Sequence, residues 1–185
     1  MSFGYSAEQH NIGTAIRQAM FERDASILLF AAASNSGAND REMYPARDDS
    51  VISIRGTNTK GDFEDFNPPP SSNDKLVFGT LGVDVPSSWL SDYDGQMHLS
   101  GTSIATAVAA GIAGILMGYV SGKSNEHLFR EVNEKIRRRQ GMWEMFKELS
   151  SPTLKEHCYY VTPWGLMGWP DDVRWARFVT ALSKI

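Results

Sequence analysis

Two short segments of this sequence carry side chains suited to acyl-transfer chemistry: His98-Leu99-Ser100-Gly101-Thr102-Ser103-Ile104-Ala105, and Ala31-Ala32-Ala33-Ser34-Asn35-Ser36-Gly37. A serine hydroxyl becomes a useful nucleophile when a base takes its proton and donors hold the developing oxyanion. Ser103 opens a run in which Ala105, Val108, Ala109, Ile112, Ala113, Leu116 and Met117 recur at helical spacing, which predicts a buried helix with Ser103 in its first turn. The unsatisfied N–H groups and positive dipole end of such a turn favour negative charge. Gly101 permits close approach of backbone or substrate, and the Thr102 hydroxyl can support the turn. Taken alone, Ser100, Thr102 and Ser103 read equally as an N-cap cluster. Asn35 follows an apolar run, and its neutral amide N–H could stabilise an oxyanion without becoming a competing acid. It also reads as an ordinary turn residue in Ser-Asn-Ser-Gly. The histidines are His10, His98, His127 and His157. His10 falls on the polar side of a helix, His127 and His157 follow Ser103 in the chain, and His98 lies on the strand leading to it, so its ring need not face the hydroxyl.

The elements that must position these groups are legible in outline. Ser6-Ala7-Glu8-Gln9 has the form of a capping box, and Ile12, Ala15, Ile16, Ala19 and Met20 make one apolar stripe, predicting a helix over 7–23. Ile27 to Ala33 reads as a strand buried on both faces, and Ser50 to Arg55 as a second β-branched strand. Strand, helix and strand in this order imply an α/β sheet with right-handed crossovers. Asn67 to Asp74, with three prolines, reads as an exposed loop. Leu76-Val77-Phe78 and Val83-Asp84-Val85 are short strand candidates on either side of a turn at Gly79-Thr80-Leu81-Gly82. Ser124 is placed to cap a further helix with Leu128, Phe129, Val132 and Ile136 inside, which Trp143 and Phe146 could continue. The aromatic residues beyond Pro152 are expected to pack on the domain.

With 185 residues and 42% hydrophobic content, the chain can form one globular core or part of one. The net charge of −4 gives no broad electrostatic reason to bind nucleic acid or anionic lipid, and Arg137-Arg138-Arg139 reads as a solvated helix end. The lone Cys158 forbids an intrachain disulfide and suits a reducing compartment. No basic segment followed by an apolar one opens the chain, and the Ala/Gly-rich run around 105–120 is not read as a membrane span, so the expectation is a cytoplasmic protein without membrane or nucleic-acid partners. No cofactor or metal is implied. Asp62-Phe63-Glu64-Asp65 reads as a solvated turn rather than a cation site.

Gly101-Thr102-Ser103-Ile104-Ala105 resembles the Gly-Thr-Ser-x-Ala motif of the subtilisin-like serine proteases, or subtilases, and Ala31 to Gly37 is similar to their Ala-Ala-Gly-Asn-x-Gly segment. Weaker likenesses follow: Ser2-Phe3-Gly4 to the extended edge that pairs with substrate, Val51 to Ile54 to the strand after the asparagine, and Gly79 to Val83 to a family Ala-Pro-Gly segment. The resemblance implies a serine endopeptidase with Ser103 as nucleophile and Asn35 as oxyanion donor. Peptide or protein substrate would lie against Ser2, Phe3, Gly4, Gly101 and Thr102. The related sedolisins also share Gly-Thr-Ser but place an acidic residue at the oxyanion position, and Asn35 argues against them. The implied fold is α/β, a partial subtilisin-like three-layer architecture with a mainly parallel sheet flanked by helices and its N-terminal sheet portion missing. Residues 1–120 would form the C-terminal portion of the peptidase domain, and 121–185 a helical, aromatic-rich extension packed on it. The family's triad runs Asp, His, Ser. No Asp-x-Gly or His-Gly-x-His occurs here, so the chain is expected to be inactive alone, its base coming from an upstream segment or a partner chain. A non-catalytic peptide-binding or regulatory module is the alternative. Ala107 stands where the family usually has proline, and Ser34 where it has glycine.

Overall fold

The computed structural model describes residues 1–69, 76–88, 96–153 and 157–185. The predicted proline-rich loop over 67–74 therefore lies partly outside the described residues. In chain order the elements are α1 (His10–Glu22), β1 (Leu29–Ala32), β2 (Val51–Thr57), β3 (Val77–Leu81), β4 (Val85–Ser88), β5 (Gln96–Leu99), α2 (Thr102–Ser121), α3 (Phe129–Ile136), α4 (Arg139–Glu148), β6 (Ser150–Pro152), β7 (Cys158–Val161), α5 (Trp164–Met167) and α6 (Asp171–Leu182). Five strands form one sheet in the order β1-β2-β3-β7-β6. It is parallel except for β6, which runs antiparallel to β7. A mixed α/β architecture with a mainly parallel, helix-flanked sheet is what the sequence predicts.

Period-two alternation divides the strands between two faces. Phe30, Ile52, Ile54 and Phe78 join the large core beneath α2, with Ala105, Ala109, Ile112, Leu116 and the inner sides of α3, α4 and α6. Ala31 and Val51 face the other way, into a smaller cluster with Ile16 of α1, Tyr44 and Ala46. The small residues of α2 let its backbone approach the strands closely, and the Thr80 hydroxyl reaches across to donate to the Ala105 carbonyl at 2.6 Å. An 18-residue window of α2 has mean hydropathy 1.8, so the helix is long and apolar enough to cross a membrane; here it lies along β1, β2 and β3.

Several local expectations yield to tertiary contacts. The capping box at Ser6 does not form: α1 starts at His10 with Gln9 as an N-cap lacking a side-chain bond. Tyr5 is held in an antiparallel bridge to Tyr44, which fixes how the chain approaches the helix. Gly79 to Leu81 is not a turn, because β3 runs through it; Gly79 serves close packing, since a Cβ there would meet Phe63 and Thr57 at 2.7 Å. Phe63 is accordingly buried, so the acidic segment around it is not simply solvated. Ser124 does not cap α3, which begins after Leu128, and α4 is a separate helix because the chain turns extended at Arg138. At this corner a Cβ on Gly141 would lie 1.9 Å from the Lys135 carbonyl, so only glycine admits the approach. Arg138 is exposed there, whereas Arg137 and Arg139 are half-buried. Beyond residue 120 the chain does more than pack on the domain, contributing β6 and β7 to the sheet itself.

Candidate active site

Helix α2 begins at Thr102, with Gly101 as its N-cap at φ 138°. That value favours glycine, and a Cβ there would stand 3.0 Å from Nδ2 of Asn35. The hairpin of β4 and β5 leads into this turn, and the Gly101 N–H is fixed by donating to the Gly82 carbonyl at 2.8 Å. Thr102 is buried while Ser103, the next residue of the first helical turn, is half-buried.

Asn35 reaches this turn from the end of β1. Its Oδ1 accepts from the Thr102 N–H at 2.8 Å and from the Thr102 hydroxyl at 3.0 Å. One orphan donor of the helix is thus satisfied by a side chain far away in sequence. Pinning Oδ1 also sets the amide's orientation. Among the described residues nothing accepts from Nδ2, and the Ser103 N–H has no intrahelical partner. Asn35 and Ser103, which carry these two N–H groups, line one cavity. Ser34, immediately before, has φ 156°, and its Oγ accepts from the Ser36 N–H at 3.1 Å.

The third component is the N-terminal edge. Ser2, Phe3 and Gly4 are exposed and line one cavity of about 180 Å³ together with Asn35, Thr102 and Ser103. The Ser2 hydroxyl donates to the Ser103 carbonyl at 3.3 Å. Of the expected catalytic and substrate-binding residues, Ser103, Asn35, Thr102, Ser2, Phe3 and Gly4 line this one cleft, and Gly101 forms the adjoining turn.

None of the histidines is held against Ser103 by a hydrogen bond. His98 Nδ1 lies 2.9 Å from Oδ1 of Asp84, and the Ser100 hydroxyl accepts from the Asp84 N–H at 2.9 Å, so this group belongs to the β4–β5 hairpin. His10, His127 and His157 are exposed. No group of three or more His, Cys, Asp or Glu side chains poised for a metal occurs among the described residues.

Sequence reasoning missed Arg55, which is 3% exposed inside β2. Its guanidinium meets Oε1 of Glu42 at 3.3 Å and donates to the Pro68 and Pro69 carbonyls, both at 3.2 Å. Burial pulls Arg55 below its usual value, with Glu42 opposing the shift. The pair ties the chain beyond β2 to the segment before Met43. Its only signal in sequence is a charge ending an otherwise apolar strand.

The family model described as Peptidase_S8, Subtilase family, matches residues 1–141. A thermostable alkaline protease of Halalkalibacterium halodurans is 27% identical over 134 residues, 72% of this chain and 35% of that protein. Subtilisin DY of Bacillus licheniformis is 33% identical over 108 residues, 56% of this chain and 38% of the relative. Among solved structures, the patellamide maturation protease PatA superposes with TM-score 0.63 at 19% identity, covering 88% of this chain and 57% of that one. The chain thus spans little more than a third of these curated relatives' length.

Proposed function

The chain belongs to the subtilase family, and on that premise we propose that it is the nucleophile-bearing part of a serine endopeptidase, whose base is carried by polypeptide outside these residues. Ser103 Oγ attacks a peptide carbonyl while the base accepts its proton. Asn35 Nδ2 and the Ser103 N–H donate to the oxyanion. The base then returns the proton to the leaving amine, and water hydrolyses the acyl-enzyme. The observation that carries this reading is the pinning of Asn35 Oδ1 by Thr102 at the wall of the Ser103 cavity, which supports Nδ2 as the donor. The open Ser2 to Gly4 edge supports a peptide substrate lying alongside.

Where the base would dock is suggested by two unfilled surfaces. β1 is an end strand of the described sheet, and Met1 runs beside it, donating to Phe30 and accepting from Ala32. The outer face of α2 is also open: Ile115 is 62% exposed, and added Cβ atoms on Gly111, Gly114 and Gly118 would meet nothing within 4 Å. A helix apolar all round is ordinarily buried all round, and an edge strand ordinarily needs cover. A strand-and-helix segment bearing an imidazole and a carboxylate fits both surfaces.

Hydrolysis of a chromogenic peptide, with Ser103→Ala as the control, tests the reading. The isolated chain should show no Ser103-dependent turnover at ordinary peptidase rates, whereas the chain joined to a base-bearing segment should. Ordinary Ser103-dependent turnover by the chain alone would refute an external base. A peptide-binding module without catalysis is the second reading, favoured by the engagement of His98 with Asp84. It predicts peptide binding and no Ser103-dependent turnover even with the base-bearing segment joined.

A further inference from the structure

A cavity of about 240 Å³ borders the sheet through Arg55 of β2, Val77 of β3 and Cys158 of β7, and is closed by Phe63, Glu64 and Asp65 from the chain beyond β2. Arg55 alternates along β2 with Ile54, which joins the core beneath α2, so this cavity lies on the opposite face of the sheet. None of its lining residues belongs to the cleft beside Ser103. Cys158 also lies beyond the residues 1–141 that match the family model, so a part of the chain outside that match completes the wall.

Two kinds of polar group meet apolar surface in this wall. Asn67 holds the chain back on β2, its Nδ2 donating to the Gly56 carbonyl at 2.7 Å and its Oδ1 accepting from the Gly56 N–H at 2.8 Å. Buried Arg55 donates through Nε to Pro68, through Nη2 to Pro69 and through Nη1 to Glu42. A guanidinium carries five N–H groups, so one on each terminal nitrogen is left over. Burial already pulls Arg55 below its usual value, and a second carboxylate beside it would oppose that shift. Glu64 is half-buried and Asp65 exposed, and neither carboxylate has a hydrogen bond or ion pair among the described residues. Phe63, Pro68 and Val77, all buried, supply the apolar part.

We propose that this cavity is a second ligand site, which takes a free α-amino acid with an aliphatic side chain: its carboxylate accepts from Arg55, its ammonium pairs with Glu64 and Asp65, and its side chain lies against Phe63, Pro68 and Val77. Charge selects the zwitterion. Arg55 and Glu42 compensate each other, so the two remaining carboxylates leave the site negative, and a simple carboxylic acid would add to that charge. An amine without a carboxylate would leave the buried N–H groups of Arg55 unused. Size agrees with the choice. A cavity of about 150 Å³ holds benzene, so one of 240 Å³ has room for about nine or ten non-hydrogen atoms, the size of free leucine. The site stands independently of the peptidase reading, because no residue of the Ser103 cleft enters it.

The test is calorimetric titration of the intact chain with L-leucine, N-acetyl-L-leucine, which lacks the ammonium, and L-leucinamide, which lacks the carboxylate. Leucine should bind one to one, and each derivative at least about tenfold more weakly, the scale of one lost charge-assisted hydrogen bond. Two variants place the ligand without disturbing the core. Joint replacement Glu64→Gln and Asp65→Asn should weaken leucine at least about tenfold while leaving N-acetyl-leucine no weaker than before. Ala38→Trp, at an exposed wall position, should fill the cavity and abolish leucine binding. No saturable leucine binding, equal affinity for the three ligands, or leucine affinity unchanged in either variant overturns the proposal, and each of these results leaves the peptidase reading standing.

Discussion

The two faces of α2 have opposite characters. Its inner face, with Ala105, Ala109, Ile112, Ala113, Leu116 and Val120, is sealed against the sheet and the helices that follow. There Phe146 packs its ring 5.8 Å from Phe30 and 5.7 Å from Phe78. Ala107, Ala110, Gly111, Gly114, Ile115 and Gly118 face outward and are exposed. At the helix's N-terminal end the two regimes meet, because buried Thr102 is held by Asn35 while Ser103, one residue on, is half-buried. Stability therefore resides on one side of the helix, and the proposed chemistry lies at the boundary with the other.

That contrast can be broken from the inside first. Phe146→Ala should destabilise the protein by about 3–5 kcal/mol in urea denaturation, the usual cost of emptying a fully buried aromatic site. Next in size is a loss confined to chemistry. With the base supplied, Asn35→Ala should lower kcat by about two to three orders of magnitude, the loss known for the asparagine of subtilisin, with KM little changed. An equal loss of folded protein would make Asn35 a structural cap instead. The outer face should respond least to truncation: Ile115→Ala should shift stability by no more than about 0.5 kcal/mol, whereas Leu116→Ala, one residue on, should cost about 2–5 kcal/mol. Equal effects at the two positions would erase the distinction between the faces.

The smallest expected effect lies near the end of α2. Tyr119 is pushed up to about 12 by burial and by its hydrogen bond to Asp171. A raised tyrosine value favours the neutral form in the folded state. Its contribution is therefore complete below the ordinary value of 10.0 and is lost as pH rises from there towards 12. Thermal melts across that window should decline more steeply for the unmodified protein than for Tyr119→Phe.

What was legible in the sequence follows from the range of the interactions responsible. The Ser103 turn, the strand before Asn35 and the buried stripe of α2 are local patterns, and each occurs in the structure within a few residues of its expected place. Distant partners decided the rest. Gly79 looks like a turn residue until Phe63 packs on it, and Ser6 looks like a cap until Tyr44 holds Tyr5. Residues 150–161 gave no strand signal, because Pro152 interrupts the pattern and β6 and β7 are short. Met43 lies against Gly4 because its own N–H donates to Ala33 and its neighbour Tyr44 pairs with Tyr5, contacts that no spacing along the chain encodes.

In the proposed peptidase, Asn35 and the Ser103 turn are already arranged to hold an oxyanion. A structure of this chain with a peptidyl boronic acid tests it most directly. The boron should bond to Ser103 Oγ, with one boronate oxygen about 2.7–3.1 Å from both Asn35 Nδ2 and the Ser103 nitrogen, and Oδ1 of Asn35 still on Thr102. An adduct whose oxygens point away from Asn35, or an Asn35 released from Thr102 when the inhibitor binds, would contradict the account.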